Sequence, residues 1–213
     1  MTRAGMAGLY AITPEWQDTA RLIGAAQASI AGGARVLQYR NKQAKPRVRL
    51  EHALALSAVC GASGATFIVN DDVDLALEVD ADGVHLGATD GDIAAARRKL
   101  GRGRLLGASC YDRLDLAQAA CRAGADHIAF GSVFASSTKP GAVRAPLELF
   151  AQARALGVPM VAIGGITRDN AARVIAAGAH AVAVIGDLFD APDVEARARE
   201  FSLLFQSTSG RPP

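Results

Sequence analysis

Short apolar runs alternate with longer, alanine-rich amphipathic stretches along the chain, and this alternation constrains the fold more than any other feature. The apolar runs lie at 8–13, 35–40, 66–70, 82–86, 104–109, 127–132, 159–164 and 181–186. The amphipathic stretches lie near 17–31, 47–62, 72–79, 91–100, 113–123, 146–156, 168–177 and 192–205. Apolar runs followed by helices are typical of parallel strands that are buried on both faces. Eight strand–helix units of about 25 residues therefore predict a single closed (β/α)8 TIM barrel, with an open doubly wound sheet as the alternative.

Glycines mark the C-terminal ends of several predicted helices. The stretches AGGA, GASGA, RAGAD, ALGVP and AAGAH each place Gly where a helix C-terminus favours a left-handed residue. No GxGxxG follows the first predicted strand, so a dinucleotide-binding fold lacks its fingerprint.

Length and composition fit one catalytic domain. The 213 residues suit a single barrel over residues 1–206, and we expect a disordered tail at residues 207–213. The net charge of +2 does not indicate a nucleic-acid-binding protein, and no apolar run approaches the ~20 residues of a membrane span. Cys60, Cys110 and Cys121 form no CxxC pair, which argues against a zinc site or a disulfide framework and favours the reducing cytoplasm. The sequence does not indicate an oligomeric state.

Polar residues at the ends of the predicted strands form the candidate site, because TIM-barrel active sites lie at the C-terminal ends of the strands. Gln38, Arg40 and Lys42 alternate along the second strand, so their side chains share one face. Burying two unpaired cations would be prohibitively costly. That face must therefore meet either solvent or an anion.

The ends of the other predicted strands carry further polar or glycine-rich groups. They are Asn70 and Asp71 after the third strand, Asp90 after the fourth, Ser109 at the fifth, Ser136, Ser137, Thr138 and Lys139 after the sixth, Gly165 after the seventh, and Ile185 and Gly186 after the eighth. Asp71 and Asp90 each have an alternative role as helix caps, although Asp72 is the preferred cap. Two carboxylates suit Mg²⁺ beside a diphosphate, and the glycine-rich loops suit a monophosphate. The set predicts a transferase that joins two phosphorylated substrates.

Five motifs resemble the thiamine-phosphate synthase family in order and spacing. They are LQYRNK, FIVNDDVDLAL, ADGVHLG with the following Asp90, GSVFASSTK and VAIGGIT. The resemblance covers the chain from about Leu9 to Leu188. It implies an enzyme of thiamine biosynthesis that condenses hydroxymethylpyrimidine diphosphate with a thiazole phosphate carboxylate. The implied products are thiamine phosphate, pyrophosphate and CO₂.

The resemblance also implies roles for individual residues. Carried over by motif, the pyrimidine diphosphate would be bound by Gln38, Tyr39, Arg40, Asn41, Lys42, Asn70, Ser109 and Lys139, Mg²⁺ by Asp71 and Asp90, and the thiazole phosphate by Ser136, Ser137, Thr138, Gly165, Ile185 and Gly186. Arg40, Lys42 and Lys139 would be the catalytic cations, because pyrophosphate leaves first and its charge must be stabilised. The aminopyrimidine would stabilise the cation left behind, which the thiazole nitrogen then captures. No protein nucleophile is needed, so we expect Cys110 to be a bystander and His85 and His127 to be structural.

Two departures from the family pattern concern the thiazole side. The family usually has Ser where this chain has Gly186, and Thr where it has Ser136. These changes bring the affinity for thiazole phosphate into question, not the reaction. The alternatives are a thiazole tautomerase on a similar barrel and a non-catalytic regulator that binds thiamine phosphate. Neither would need the two carboxylates together with the basic residues of the diphosphate site.

Overall fold

A computed structural model describes residues 6–87, 90–135 and 143–208, with side chains described as far as residue 206. Eight parallel strands pair in chain order, and the eighth pairs with the first. The predicted (β/α)8 barrel is therefore confirmed, and the open doubly wound sheet is excluded because the sheet has no edges.

Each predicted strand is found, with small shifts at its ends. The strands are β1 (Gly8–Ile12), β2 (Val36–Tyr39), β3 (Thr66–Asn70), β4 (Gly83–Leu86), β5 (Leu105–Tyr111), β6 (His127–Phe130), β7 (Met160–Ile163) and β8 (Ala181–Val184). The helices are α1 (Thr19–Ala31), α2 (Pro46–Ser63), α3 (Val73–Glu78), α4 (Ile93–Leu100), α5 (Leu114–Arg122), α6 (Glu148–Ala153) with a 3₁₀ turn (Arg154–Leu156), α7 (Ala171–Ala176), α8 (Gly186–Phe189) and α9 (Val194–Thr208). The last helix extends into the predicted tail, and residues 209–213 lie outside the described part of the chain.

Local signals in the sequence explain several helix ends. Asp18, Asp72 and Asp92 cap α1, α3 and α4, and each carboxylate accepts a hydrogen bond from a backbone N–H in the first turn. Pro46 opens α2, where its missing N–H costs nothing. Gly64 ends the same helix with φ +72°, a left-handed conformation that favours glycine.

Strand alternation divides the buried side chains into two layers. Outward-facing residues such as Leu37 and Phe67 pack against the helices in the larger core. Inward-facing residues such as Tyr10, Val36 and Ile68 form a smaller core inside the barrel. This inner core fills the barrel below the site.

The short helix α8 was not predicted from the sequence. It begins at Gly186, directly after β8, and the carbonyl of Ile185 accepts hydrogen bonds from the N–H groups of Leu188 and Phe189 at 3.2 and 2.9 Å. A single turn is too short to produce a readable period of apolar residues. A short extra helix at this position is a common part of phosphate sites in barrels.

None of the described helices has the length and apolarity needed to cross a membrane.

The first and last long helices pack closely at a glycine. A Cβ atom placed on Gly32 would lie 2.3 Å from the carbonyl oxygen of Glu195 and 2.5 Å from the Cβ atom of Ala198. Gly24, in the middle of α1, has open space around its Cα atom and is exposed. A glycine required by packing therefore lies at the C-terminal cap of α1, and a glycine that packing does not require lies within the helix.

We predict opposite effects for alanine at these two positions. Gly32→Ala should lower the free energy of unfolding by about 1–3 kcal/mol, because α9 must move away from α1. Gly24→Ala should raise it by about 0.5–1 kcal/mol, since alanine favours a helix interior over glycine. Urea unfolding followed by circular dichroism measures both. Equal stability of the two variants would contradict the close approach of α1 and α9.

Candidate active site

A cavity of about 470 Å³ opens at the C-terminal ends of the strands, a region called here the C-terminal opening. The predicted site residues that line it are Gln38, Arg40, Lys42, Asn70, Asp71, Asp90, Ser109, Gly165, Ile185 and Gly186. They lie in or shortly after β2, β3, β4, β5, β7 and β8, so closure of the barrel gathers residues that are distant in the sequence. Ser136, Ser137, Thr138 and Lys139 lie outside the described residues, and their roles stay predictions.

Tyr39 does not line this cavity, contrary to its predicted place among the substrate-binding residues. Successive side chains of a strand point to opposite faces, so Gln38 and Arg40 point inward and Tyr39 points outward. Its ring is buried in the core against the helices, and its hydroxyl lies 3.2 Å from Nδ1 of His52. The correction is that its side chain anchors β2 to α2.

Asn41 also has a supporting position. Its side-chain amide donates to the carbonyl oxygen of Trp16 at 3.1 Å. Its Oδ1 accepts from the backbone N–H groups of Gln43 and Ala44 at 3.2 and 3.0 Å. Because both ends of this buried side chain are bonded to the loop, it shapes the segment that carries Lys42 and does not line the cavity.

Arg40 is held at the C-terminal opening by a carboxylate that was not predicted from the sequence. Its Nη1 donates to Oε1 of Glu15 at 2.5 Å, and both side chains are about a quarter exposed. The hydroxyl of Thr13 accepts a hydrogen bond from the backbone N–H of Arg40 at 2.9 Å. A ligand anion must therefore compete with Glu15 for the guanidinium group.

Lys42 lies between the two predicted metal carboxylates. Its Nζ is 2.7 Å from Oδ2 of Asp71 and 3.7 Å from Oδ1 of Asp90. The hydrogen bond to Asp71 raises the pKa of Lys42, so the ammonium group stays charged. Burial, followed by the nearby Asp71 carboxyl, raises the pKa of Asp90. Lys42 is thus the counter-ion of this carboxylate pair.

The helix-cap alternatives for these two carboxylates are excluded. As expected from the sequence, Asp72 caps α3, and its Oδ1 accepts a hydrogen bond from the N–H of Leu75 at 2.9 Å. Asp92, not Asp90, caps α4. Asp71 has φ +64°, a left-handed conformation that Asp and Asn tolerate better than most residues. Asp71 and Asp90 are therefore available at the cavity.

The donor set fits a magnesium-like cation better than zinc. Within the described ranges, no group of three or more His, Cys, Asp or Glu residues could hold a metal ion. A zinc site would need such a group. Mg²⁺ usually takes only one or two carboxylates and completes its shell with water and substrate phosphates. Asp71 and Asp90 match that pattern.

The floor of the cavity is a set of neutral polar groups. Nε2 of Gln38 donates to Oδ1 of Asn70 at 3.0 Å. Nε2 of His85 lies 3.0 Å from Oγ of Ser109. Burial lowers the pKa of His85 to about 4, so the ring is uncharged at neutral pH. This floor presents hydrogen-bonding groups to a ligand without adding charge.

Several residues that line the cavity were not recognised from the sequence, and two of them carry polar rings. His85, expected to be structural, lines the cavity, as does Tyr111 at the end of β5. The available signal for His85 was its inward register, since it lies two residues before the cavity residue Gly87. Tyr111 has φ +52°, which no local sequence pattern indicates.

The side of the cavity formed after β7 and β8 contains three glycines, Gly164, Gly165 and Gly186. Gly165 has φ +63°, and a Cβ atom there would lie 2.1 Å from the carbonyl oxygen of Ala135. Its own carbonyl accepts a hydrogen bond from the side-chain amide of Asn170 at 2.9 Å. Gly186 begins α8, and the first N–H groups of a helix have no partner within that helix. Small residues here leave backbone donors accessible to an anion.

Comparison with known proteins gives a consistent result. The family model for thiamine monophosphate synthase matches residues 9–188. A thiamine-phosphate synthase from Chromobacterium violaceum is 60% identical to this chain and covers 90% of it and 93% of the relative. One from Methylobacillus flagellatus is 58% identical over 93% of this chain and 95% of the relative. The solved structure of thiamine phosphate pyrophosphorylase from Pyrococcus furiosus has a TM-score of 0.86 and 34% identity, covering 98% of this chain and all of that one.

The position of Lys42 predicts that it competes with a divalent cation for Asp71 and Asp90. Lys42→Met should tighten binding of Mn²⁺, used as a probe without substrates, by roughly two- to tenfold, since exposed ion pairs have modest energies. Electron paramagnetic resonance of free Mn²⁺ measures the affinity. Lys99→Met is the matched control, because Lys99 pairs with Asp74 on the helix surface. Weaker Mn²⁺ binding by Lys42→Met would show that the carboxylates need the ammonium group.

Proposed function

The chain belongs to the thiamine monophosphate synthase family, and we propose that it joins hydroxymethylpyrimidine diphosphate to a thiazole phosphate carboxylate. The products are thiamine phosphate, pyrophosphate and CO₂. Family membership makes the chain a transferase of thiamine biosynthesis. That the transferred group is the pyrimidinylmethyl group, and that the reaction depends on Mg²⁺, is part of the proposal.

The observation that carries this proposal is the division of the C-terminal opening into two unlike sides. One side holds Arg40, Lys42 and two carboxylates, while the other has Gly165 and Gly186 and a carboxylate, Asp187, that is paired with Arg197. A diphosphate with its metal needs many charges, whereas a monophosphate can be bound by N–H groups. The cavity therefore suits two different phosphorylated substrates bound side by side.

Asp71 and Asp90 would hold Mg²⁺, whose charge offsets that of the diphosphate as pyrophosphate forms. Arg40 and Lys42 are already at the opening, where Glu15 and Asp71 hold them. When the diphosphate binds, these cations can exchange a protein carboxylate for a phosphate oxygen. Preorganised charges of this kind lower the barrier because little reorganisation is needed during the reaction.

The same chemistry needs no nucleophile from the protein. The electron-rich aminopyrimidine stabilises the cation that remains when pyrophosphate leaves, and the thiazole nitrogen captures it. Cys110 fits the bystander role expected for it: it is fully buried in the core, and burial raises the pKa of its thiol to about 12. The contribution of the protein is then charge stabilisation and close positioning of two substrates.

We also place the protein in the cytoplasm, with small molecules as its substrates. Cys60 and Cys110 are buried thiols, which fits a reducing compartment.

Pyrophosphate release tests the proposal directly. It should require both substrates and Mg²⁺, and Asp71→Asn or Asp90→Asn should reduce turnover by about 10²–10³. Asn keeps the size of the side chain and tolerates the left-handed conformation at position 71. The measurement is a coupled pyrophosphate assay with each substrate and Mg²⁺ varied in turn.

Asp72→Asn is the control for this experiment. Asn also caps helices well, so this variant should lose only the ion pair with Arg49 and keep wild-type turnover. Full activity of Asp71→Asn and Asp90→Asn at limiting Mg²⁺ would rule out the metal site. Isomerisation of the thiazole substrate without any release of pyrophosphate would instead identify a tautomerase.

The departure at Gly186 predicts a specific change in affinity. Gly186→Ser should lower the KM for thiazole phosphate by about three- to tenfold, the effect of one added hydrogen bond, without changing the KM for the diphosphate. A Cβ atom there would lie 3.2 Å from Oδ2 of Asp190, an exposed carboxylate that can move aside. Gly186→Ala adds the carbon without the hydroxyl and should give no such gain. Equal KM values for the Ser and Ala variants would mean that the phosphate does not contact this position.

A further inference from the structure

Two histidines meet inside the barrel because the residue between them is glycine. The register places His85 of β4, Gly107 of β5 and His127 of β6 side by side. Nδ1 of His85 lies 3.3 Å from Nε2 of His127, and their ring centroids are 5.4 Å apart. A Cβ atom on Gly107 would lie 2.1 Å from Nε2 of His127 and 2.4 Å from Nδ1 of His85. Any larger residue at position 107 would separate the rings.

This pair extends to the cavity through Ser109. Nε2 of His85 is 3.0 Å from the Oγ atom of Ser109, which lines the cavity. His127 is fully buried, is not part of the cavity lining, and its Nδ1 has no hydrogen-bond partner among the described residues. A hydrogen-bonded chain therefore runs from the buried interior to a residue that can contact a ligand.

The hydrogen bonds from His127 through His85 to Ser109 can run in two directions, because each neutral ring has only one N–H. His85 and His127 are both buried, and burial disfavours a charged imidazolium, so each neutral ring carries one N–H. In the outward direction, His127 donates to His85, His85 donates to Ser109, and the Ser109 hydroxyl proton points to the ligand. In the inward direction, Ser109 donates to His85, and its Oγ can only accept from a ligand.

The unpartnered Nδ1 of His127 favours the outward direction. The inward direction would place an N–H on this buried atom with no acceptor, whereas the outward direction leaves only an unused lone pair. In protein interiors, orphaned N–H groups are rarer than under-satisfied acceptors. The outward chain is thus the less costly arrangement.

We propose that His127 is a positioning residue that, through His85, fixes Ser109 as a hydrogen-bond donor to an acceptor atom of the pyrimidine diphosphate. The identity of that ligand rests on the proposed function, whereas the direction of the chain does not. A Ser109 hydroxyl that is fixed as a donor favours a ring nitrogen or a phosphate oxygen of the ligand over an amino group at this point of the cavity. Gly107 is required for the same arrangement, because only a residue without a side chain leaves space for the two rings to contact each other.

The direction is measured on the wild-type protein without substrate. Long-range ¹H–¹⁵N spectra of protein labelled with ¹⁵N-histidine distinguish the two neutral tautomers of each ring. We expect both His85 and His127 to carry the proton on Nε2. A proton on Nδ1 of His127 would reverse the chain and overturn the proposal, and this result depends on no variant and on no enzymatic activity.

Variants test the positioning role. His127→Phe keeps a ring but removes the donor, so His85 should lose its single tautomer and the KM for the diphosphate should rise about three- to tenfold, the effect of one hydrogen bond. The KM for thiazole phosphate should stay unchanged. His127→Gln, which restores an N–H donor, should recover part of the loss, and Gly107→Ala should mimic His127→Phe. An unchanged tautomer of His85 together with unchanged KM values in His127→Phe would overturn the role.

Failure of this proposal and failure of the proposed function give different results. A protein with the expected tautomers that releases no pyrophosphate would refute the function and leave the direction of the chain intact. A protein that releases pyrophosphate but carries the His127 proton on Nδ1 would support the function and refute the proposed direction of the hydrogen bonds.

Discussion

Closure of eight parallel strands into one barrel is the constraint on which the rest of this structure depends. Because every strand runs in the same direction, their C-terminal ends meet at one opening, and residues far apart in the chain become neighbours. Lys42, Asp71 and Asp90 follow three different strands, yet one ammonium group contacts both carboxylates. The strands use their backbone hydrogen bonds in the sheet, so accessible backbone donors occur where the strands stop.

The charges at this opening are paired with one another in the free protein. Arg40 is held by Glu15, and Lys42 by Asp71 and Asp90. These pairs reduce the cost of holding partly buried charges close together. They also mean that a phosphorylated ligand binds by exchanging ion-pair partners, so the metal, the diphosphate and the two cations are energetically coupled. Below these ion pairs, His127, His85 and Ser109 are linked by hydrogen bonds that orient the Ser109 hydroxyl without adding charge.

Sequence patterns predicted the strands and much of the cavity lining, for a simple reason. A period of two places alternate residues on one face, and parallel strands must end together, so Gln38 and Arg40 could be assigned to the cavity. The same rule places Tyr39 on the outer face of the barrel, away from the cavity. A match to the motif LQYRNK does not distinguish side chains that contact a ligand from those that support the loop.

The sequence by itself determined the alternation of strands and helices, the cap at Asp72, the glycines that end helices and the polar strand ends, because these are properties of residues close together in the chain. Only the tertiary structure decided the pairing of Arg40 with Glu15 and the meeting of His85 with His127 across Gly107. Such contacts depend on register between strands and on the space that one missing side chain leaves. Neither quantity is encoded in any short stretch of sequence, since both arise only when the barrel closes.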